Sequence, residues 1–223
     1  MIENNLQRRR GRRRTVVPST SLRGHFFALA RQIRQWADSR ATQNQHERQS
    51  VVVGVTSLDH GAGTSTVSFN LTCALASLCR SSMLLVESDF GRHYITRRLG
   101  HAKAPGLSEM LLGVATSEET IFSTPIADVS IMGCGTKSDQ EALELPFDEL
   151  DPLLRQTLAP YSYTVFDLPL ASDLTACHSI APYLDGIILT VDSNLIDQRR
   201  ISRFKKQLET YGVEVIGIVL NKS

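Results

Sequence analysis

Val53–Leu71 reads VGVTSLDHGAGTSTVSFNL. An apolar, β-branched run gives way to a glycine-rich turn and then to a helix-like segment. In that order these form the outline of a phosphate-binding loop, where main-chain N–H groups at a helix N-terminus face an anion. Such loops carry a lysine that reaches the outer phosphates, but here Thr64 stands in its place. Whether a loop without that ammonium still holds a nucleotide, and still does chemistry, decides how the chain is read.

Outward from the loop, the apolar runs are VVVGVTS (51–57), MLLVESD (83–89), VSIMG (129–133), YTVFDLP (163–169), GIILTVD (186–192) and VEVIGIVLN (213–221). Helix-like stretches lie between them, at 64–80, 106–113, 148–160, 174–183 and 197–211. Continuous apolar strands alternating with helices predict an α/β domain over 51–223. The expected architecture has three layers, with helices on both faces of a mostly parallel sheet. Ligands of such sheets sit beyond the carboxyl ends of the strands. Those ends carry TSLDHGAGTST, ESDFGRH, DLPL and LNKS.

Carboxylates at neighbouring strand ends beside a glycine-rich turn suit a nucleotide with hydrated Mg²⁺, which takes oxygen ligands and keeps several waters. Ser65 offers a hydroxyl to the metal, Asp167 holds it through water, and Asp89 orients or deprotonates a nucleophile. Asp89 and Asp167 are therefore the candidate catalytic residues, and Ser65, Asp89 and Asp167 the candidate metal ligands. Gly61, Ala62, Gly63, Thr64, Ser65 and Thr66 form the candidate cradle for ATP or ADP. Each has a structural alternative: Asp89 and Asp167 as turn formers, Ser65 and Thr66 as helix caps. His60 reads as solvated, with phosphate contact as the alternative, and Tyr161 and Tyr163 read as packing residues.

The net charge of +1 hides an asymmetry. Residues 1–50 hold 11 Arg and no Lys against Glu3, Asp38 and Glu47, a surplus of +8, which leaves −7 for the other 173 residues. Residues 1–20, with QRRRGRRRT, read as a disordered arginine-rich arm. A solvated tail, an anchor to an anionic membrane and a nucleic-acid contact all fit it; the absence of interleaved aromatics weakens the last. Residues 21–50 read as an N-terminal helix followed by a polar linker, DSRATQNQHERQS. The helix, Leu22 to Ala37, sets Phe26, Phe27, Leu29, Ala30, Ile33, Trp36 and Ala37 on one face.

At 42% hydrophobic and 21% charged residues, the chain has material for a full core. Cys73, Cys79, Cys134 and Cys177 show no metal-ligand spacing and read as free thiols of a reducing compartment. No apolar run reaches the roughly 20 residues needed to span a bilayer, and no apolar h-region follows the arginines.

The order of motifs resembles the deviant Walker P-loop family that includes MinD, ParA and the bacterial tyrosine kinases (BY-kinases). The kinases of capsule and exopolysaccharide assembly are the nearest in pattern. TSLDHGAGTST sits where the family writes T-S-x-x-P-G-E-G-K-S-T. LLVESDFGRH resembles the Walker A′ strand, APGLSEMLLG the P-G-L-S-[DE]-x-L-x-G segment of the kinases, and YTVFDLPL the Walker B strand. The resemblance implies a P-loop NTPase fold, ATP or ADP with Mg²⁺, and an adenine contact from Asn221. It also implies a membrane copolymerase as partner, a homo-oligomer, and a cytoplasmic location at the inner face of the membrane.

Departures fall on the chemical positions. Thr64 replaces the loop lysine, Glu87 the first Walker A′ aspartate, and Gly91 the arginine before Arg92. Asp59 stands where MinD and ParA carry a second lysine. ALARQIR keeps Arg31 and Arg34 of an E-x-x-R-x-x-R oligomerisation motif but has Ala28 for its glutamate. The terminal tyrosine cluster on which such kinases phosphorylate one another is not among the residues before Ser223. The expectation is a nucleotide-binding, kinase-like regulator with impaired phosphotransfer. The alternatives are an active tyrosine kinase and a ParA- or MinD-like positioning ATPase.

Overall fold

The computed structural model describes residues 23–44, 50–142, 145–146, 151–171 and 179–221. The arginine-rich arm, Cys177 and most of the helix expected at 174–183 lie outside the described residues. The strands are β1 (Val51–Ser57), β2 (Met83–Glu87), β3 (Ile121–Ser123), β4 (Val129–Met132), β5 (Tyr163–Asp167), β6 (Gly186–Asp192) and β7 (Glu214–Asn221). They form one sheet in the order β3-β4-β2-β5-β1-β6-β7. β3 runs antiparallel to β4; every other pairing is parallel. Among the described residues the helices are α1 (Arg23–Asn44), α2 (Thr64–Cys79), α3 (Tyr94–Leu99), α4 (Leu107–Leu111), α5 (Ser117–Thr120), α6 (Asp139–Ala142), α7 (Asp151–Leu158) and α8 (Gln198–Glu209), with a single 3-10 turn at Ala181–Tyr183.

All seven residues of β1 are buried, as expected of a strand covered on both faces. Val51, Val53 and Val55 pack with α1 and α2 through Ala30, Ile33, Val67 and Leu71. Val52 joins the opposite cluster, with Met110 of α4, Leu154 of α7 and Phe204 of α8. Three layers result, as the alternation predicts. Gly54 is glycine for want of room: a Cβ there would lie 2.7 Å from Leu168 and 2.8 Å from Leu184. Tyr163 is 1% exposed and packs in the core, and Tyr161 lies partly buried against it.

Two expectations need correction. The linker read from residue 38 is helical as far as Asn44. Polar contacts rather than an apolar stripe carry those added turns: Ser39 and Thr42 donate to the carbonyls of Gln35 and Asp38, and Arg34 pairs with Asp38. Arg40 ties the end of the helix to Asp185 and lies over the Trp36 ring. Phe27, placed on the apolar face, is only half-buried, whereas Phe26, Leu29 and Trp36 pack against the core. The short elements α3, α5, α6 and β3 carry too few residues to show a period.

Because β2, β5 and β1 are adjacent and parallel, their carboxyl ends open on one side. Asp167 lies level with Glu87 on one flank and Val55 on the other. β2 and β5 thereby end on the side of the sheet from which the turn after β1 emerges.

Candidate functional site

After Ser57 the chain turns through Gly61 (φ +81°) and Gly63 (φ +86°), a conformation glycine adopts without strain. Gly63 is the N-cap of α2, and no side chain caps the first turn. Ser65 and Thr66 are therefore not caps; they lie inside the helix, whose opening N–H groups need partners. A Cβ on Gly63 would meet the Asn221 amide nitrogen at 2.3 Å. That amide donates to the Ala62 carbonyl at 3.0 Å, so the end of β7 fastens the loop. Ala62 itself is buried.

Thr64 points back into the fold. Its hydroxyl donates to Ser57 Oγ at 2.9 Å, and Ser57 Oγ donates to the Asp59 carbonyl at 3.1 Å. The side chain in the lysine position thus serves the end of β1. A cleft of about 250 Å³ lies in front, lined by Gly61, Gly63, Thr64, Ser65, Thr66 and Asp89, with Ser57, Arg92, Tyr94, Leu168 and Leu170 around them. Ala62, Asn221 and Asp167 do not line it. Asp167 is buried behind it, and Ser65 of α2 links it to the cleft.

Asp167 is 1% exposed. Its Oδ1 accepts from Ser68 Oγ at 2.9 Å, while its Oδ2 is buried with no hydrogen-bond partner among the described residues. Burial is the largest influence on this carboxyl, pushing it from 3.8 to about 7; Glu87 and Asp89 add to the rise, and the Ser65 and Ser68 hydroxyls oppose it. An orphaned carboxylate oxygen beside a serine hydroxyl is what a hard cation would complete. No cluster of three or more His, Cys, Asp or Glu fit for a metal occurs among the described residues. The donor set of Ser65, Asp89 and Asp167 suits a hydrated Mg²⁺ that needs few protein ligands.

Glu87 behaves otherwise. The register puts it beside Asp167, and the sequence reading places it in the Walker A′ series. It is 1% exposed, and its carboxylate accepts from the main chain of Ile95 at 2.6 Å, the main chain of Thr96 at 3.1 Å, and the Thr96 hydroxyl. The extra methylene takes the charge to the start of α3. Asp89, with 22% of its side chain exposed, faces Arg92 at 3.7 Å.

APGLSEMLLG also has a structural task. A Cβ on Gly106 would fall 2.3 Å from the Gly133 carbonyl. Leu107 and Ser108 donate to the Gly133 and Cys134 carbonyls, and Glu109 accepts from Gly106 and Thr136. The segment thereby clamps the loop after β4, whose Cys134 thiol donates to the Asp89 carbonyl at 3.3 Å. Cys73 and Cys134 are buried free thiols; burial raises Cys73 to about 12 and raises Cys134 as well.

Two participants escape the sequence reading. Ser68 stands one turn beyond Thr64, an i,i+4 spacing that signals a shared face. Arg200 of α8 grips Asp59 at 2.8 Å and the Leu58 carbonyl at 2.9 Å. The signal there is the carboxylate at Asp59 where the family has a cation. His60 is exposed, and its Nδ1 meets Arg92 Nη2.

No family model matches the chain. The tyrosine-protein kinase CpsD of Streptococcus pneumoniae serotype 4 is 24% identical over 171 residues, covering 77% of this chain and 75% of that protein. The crystal structure of the VpsO kinase domain superposes with a TM-score of 0.71 at 26% identity, covering 91% of this chain and 97% of that one. These likenesses support the resemblance to the Walker P-loop family of bacterial tyrosine kinases. A further relative, the succinoglycan biosynthesis transport protein ExoP of Rhizobium meliloti, is 24% identical over 180 residues. That match covers 78% of this chain and 22% of the longer ExoP. The VpsO kinase domain matches this chain along almost its whole length. The departures from the family pattern lie at Thr64, Glu87 and Asp59, inside the loop and at the end of β2.

Proposed function

We propose that this chain is a nucleotide-binding, BY-kinase-like regulator of capsular or exopolysaccharide synthesis and export, acting with a membrane copolymerase and impaired in phosphotransfer. The observation that carries the reading is the split at the start of α2. The helix terminus stands uncapped above an orphaned Asp167 oxygen, while the residue in the lysine position is an uncharged threonine bonded to Ser57.

Main-chain N–H groups from Gly61 to Ser65 and the dipole of α2 attract a polyphosphate without a side-chain cation. Ser65, Asp89 and Asp167 would hold Mg²⁺, which neutralises charge on the phosphates when bound. Asp89 orients an acceptor hydroxyl and accepts its proton. Transfer depends almost wholly on positioning and charge neutralisation, so a missing preorganised donor costs about 10²–10³ in rate. Occupancy is weakened less than turnover.

Support for the polysaccharide setting comes from ExoP, named for succinoglycan biosynthesis and transport. Among the described residues no helix is long and apolar enough to cross a membrane. Arg31 and Arg34 are exposed on α1, where a second copy can reach them. Radiolabelled ATP tests the reading. Little label should enter the wild-type protein, and Thr64→Lys should raise incorporation about 10²-fold. Robust labelling of the wild type that Asp89→Ala abolishes contradicts the impairment and favours the second reading, an active tyrosine kinase, for which the name of CpsD speaks.

A further inference from the structure

We infer that Arg92 is a displaced counter-charge for this cleft, taking the terminal phosphate of a bound nucleoside di- or triphosphate in place of the ammonium missing at Thr64. The inference rests on the nucleotide-binding reading and specifies how that site manages charge. Among the described residues that line the cleft, Arg92 is the one with a cationic side chain.

Its guanidinium already crosses the site, for Nη2 meets His60 within the glycine-rich loop while Nε faces Asp89 at 3.7 Å on the other side. That second contact is longer than the roughly 2.7–2.9 Å of a charge-assisted hydrogen bond, and half of the side chain is exposed. The hold on Asp89 is therefore loose enough to be exchanged for a phosphate, while the His60 contact orients the guanidinium. The backbone of Arg92 is not loose: its N–H donates to the Asp89 carbonyl at 3.2 Å, and Glu87 fixes the start of α3 two residues further on. A planar guanidinium also matches the oxygens of a phosphate two at a time.

Arg200, another described arginine near the loop, differs in its tethers and its place. It is clamped at 2.8 Å by Asp59 and 2.9 Å by the Leu58 carbonyl, and it does not line the cleft. Its charge fixes the loop rather than serving a ligand. When a phosphate draws Arg92 away, Asp89 loses this cationic neighbour.

The test is calorimetric titration of ADP and of ATP, each with Mg²⁺, into the wild type and the Arg92→Ala, Arg92→Lys and Arg92→Ala/Thr64→Lys variants. Circular dichroism melts check that each is folded. Losing one half-exposed, charge-assisted contact should weaken ATP by about tenfold, with a smaller loss for ADP. Arg92→Lys should keep part of the affinity, and restoring lysine at 64 should recover most of what Arg92→Ala loses. Unchanged affinities in Arg92→Ala, or a double variant as weak as the single, overturn the role of Arg92 while wild-type binding leaves the nucleotide reading standing. A wild type that binds neither nucleotide removes that reading, and this inference with it.

Discussion

Glu87 and Asp167 end adjacent strands, face each other in register, and are each 1% exposed. Yet the carboxylate of Glu87 is satisfied by three donors at the start of α3, whereas Asp167 keeps one oxygen without a partner among the described residues. A buried anion whose hydrogen bonds are complete holds structure together. A buried anion left short of them raises the free energy of the empty protein, and a ligand that completes it recovers that energy. The contrast separates scaffold from site on two neighbouring strands.

The largest expected effect sharpens the scaffold side. Glu87→Ala removes an acceptor and strands the Ile95 and Thr96 N–H groups, so urea unfolding should show a loss of about 3 kcal/mol. A loss as small as that of an ordinary surface change would erase the distinction. Asp167→Asn should behave oppositely, with little stability lost but the Mg²⁺-dependent part of ADP binding gone by about tenfold or more in calorimetry.

The pH dependence follows from the same carboxyl. Its folded value, about 7, lies above the ordinary 3.8, so between these values the folded protein binds more protons than the unfolded chain. Stability of the ligand-free protein therefore falls as pH rises from about 4 to 7, then levels. Asp167→Asn should flatten that segment in denaturant titrations across pH. A wild type that gains stability over this window through Asp167 would break the comparison.

Smaller effects come from the serines. Ser68→Ala deprives Asp167 Oδ1 of its donor and should cost about 1 kcal/mol. Ser65→Ala should alter stability by less than about 0.5 kcal/mol while reducing the Mg²⁺ dependence of nucleotide binding. Equal effects of the two on metal dependence would blur the line between support and ligand.

The sheet was legible because its strands are short continuous apolar runs with turns between them: VVVGVTS and GIILTVD appear in the structure with the limits read from sequence. Gly61, Gly63, Thr64, Ser65, Thr66 and Asp89 could likewise be placed at one cleft, since motif order fixes which strand ends meet. What stayed hidden depends on side-chain direction. Nothing local shows that the added methylene of Glu87 turns it to α3, that Thr64 bonds back to Ser57, or that Arg200 crosses 141 residues of sequence to reach Asp59. The last turns of α1 were missed because polar tethers, not apolar spacing, extend it.

The most direct test of the account is a calorimetric titration of ADP into the wild-type protein with and without Mg²⁺. A saturable isotherm that tightens when Mg²⁺ is present is expected, because the uncapped start of α2 and the open oxygen of Asp167 act together. An absence of binding heat under both conditions, in a protein shown to be folded, would contradict it.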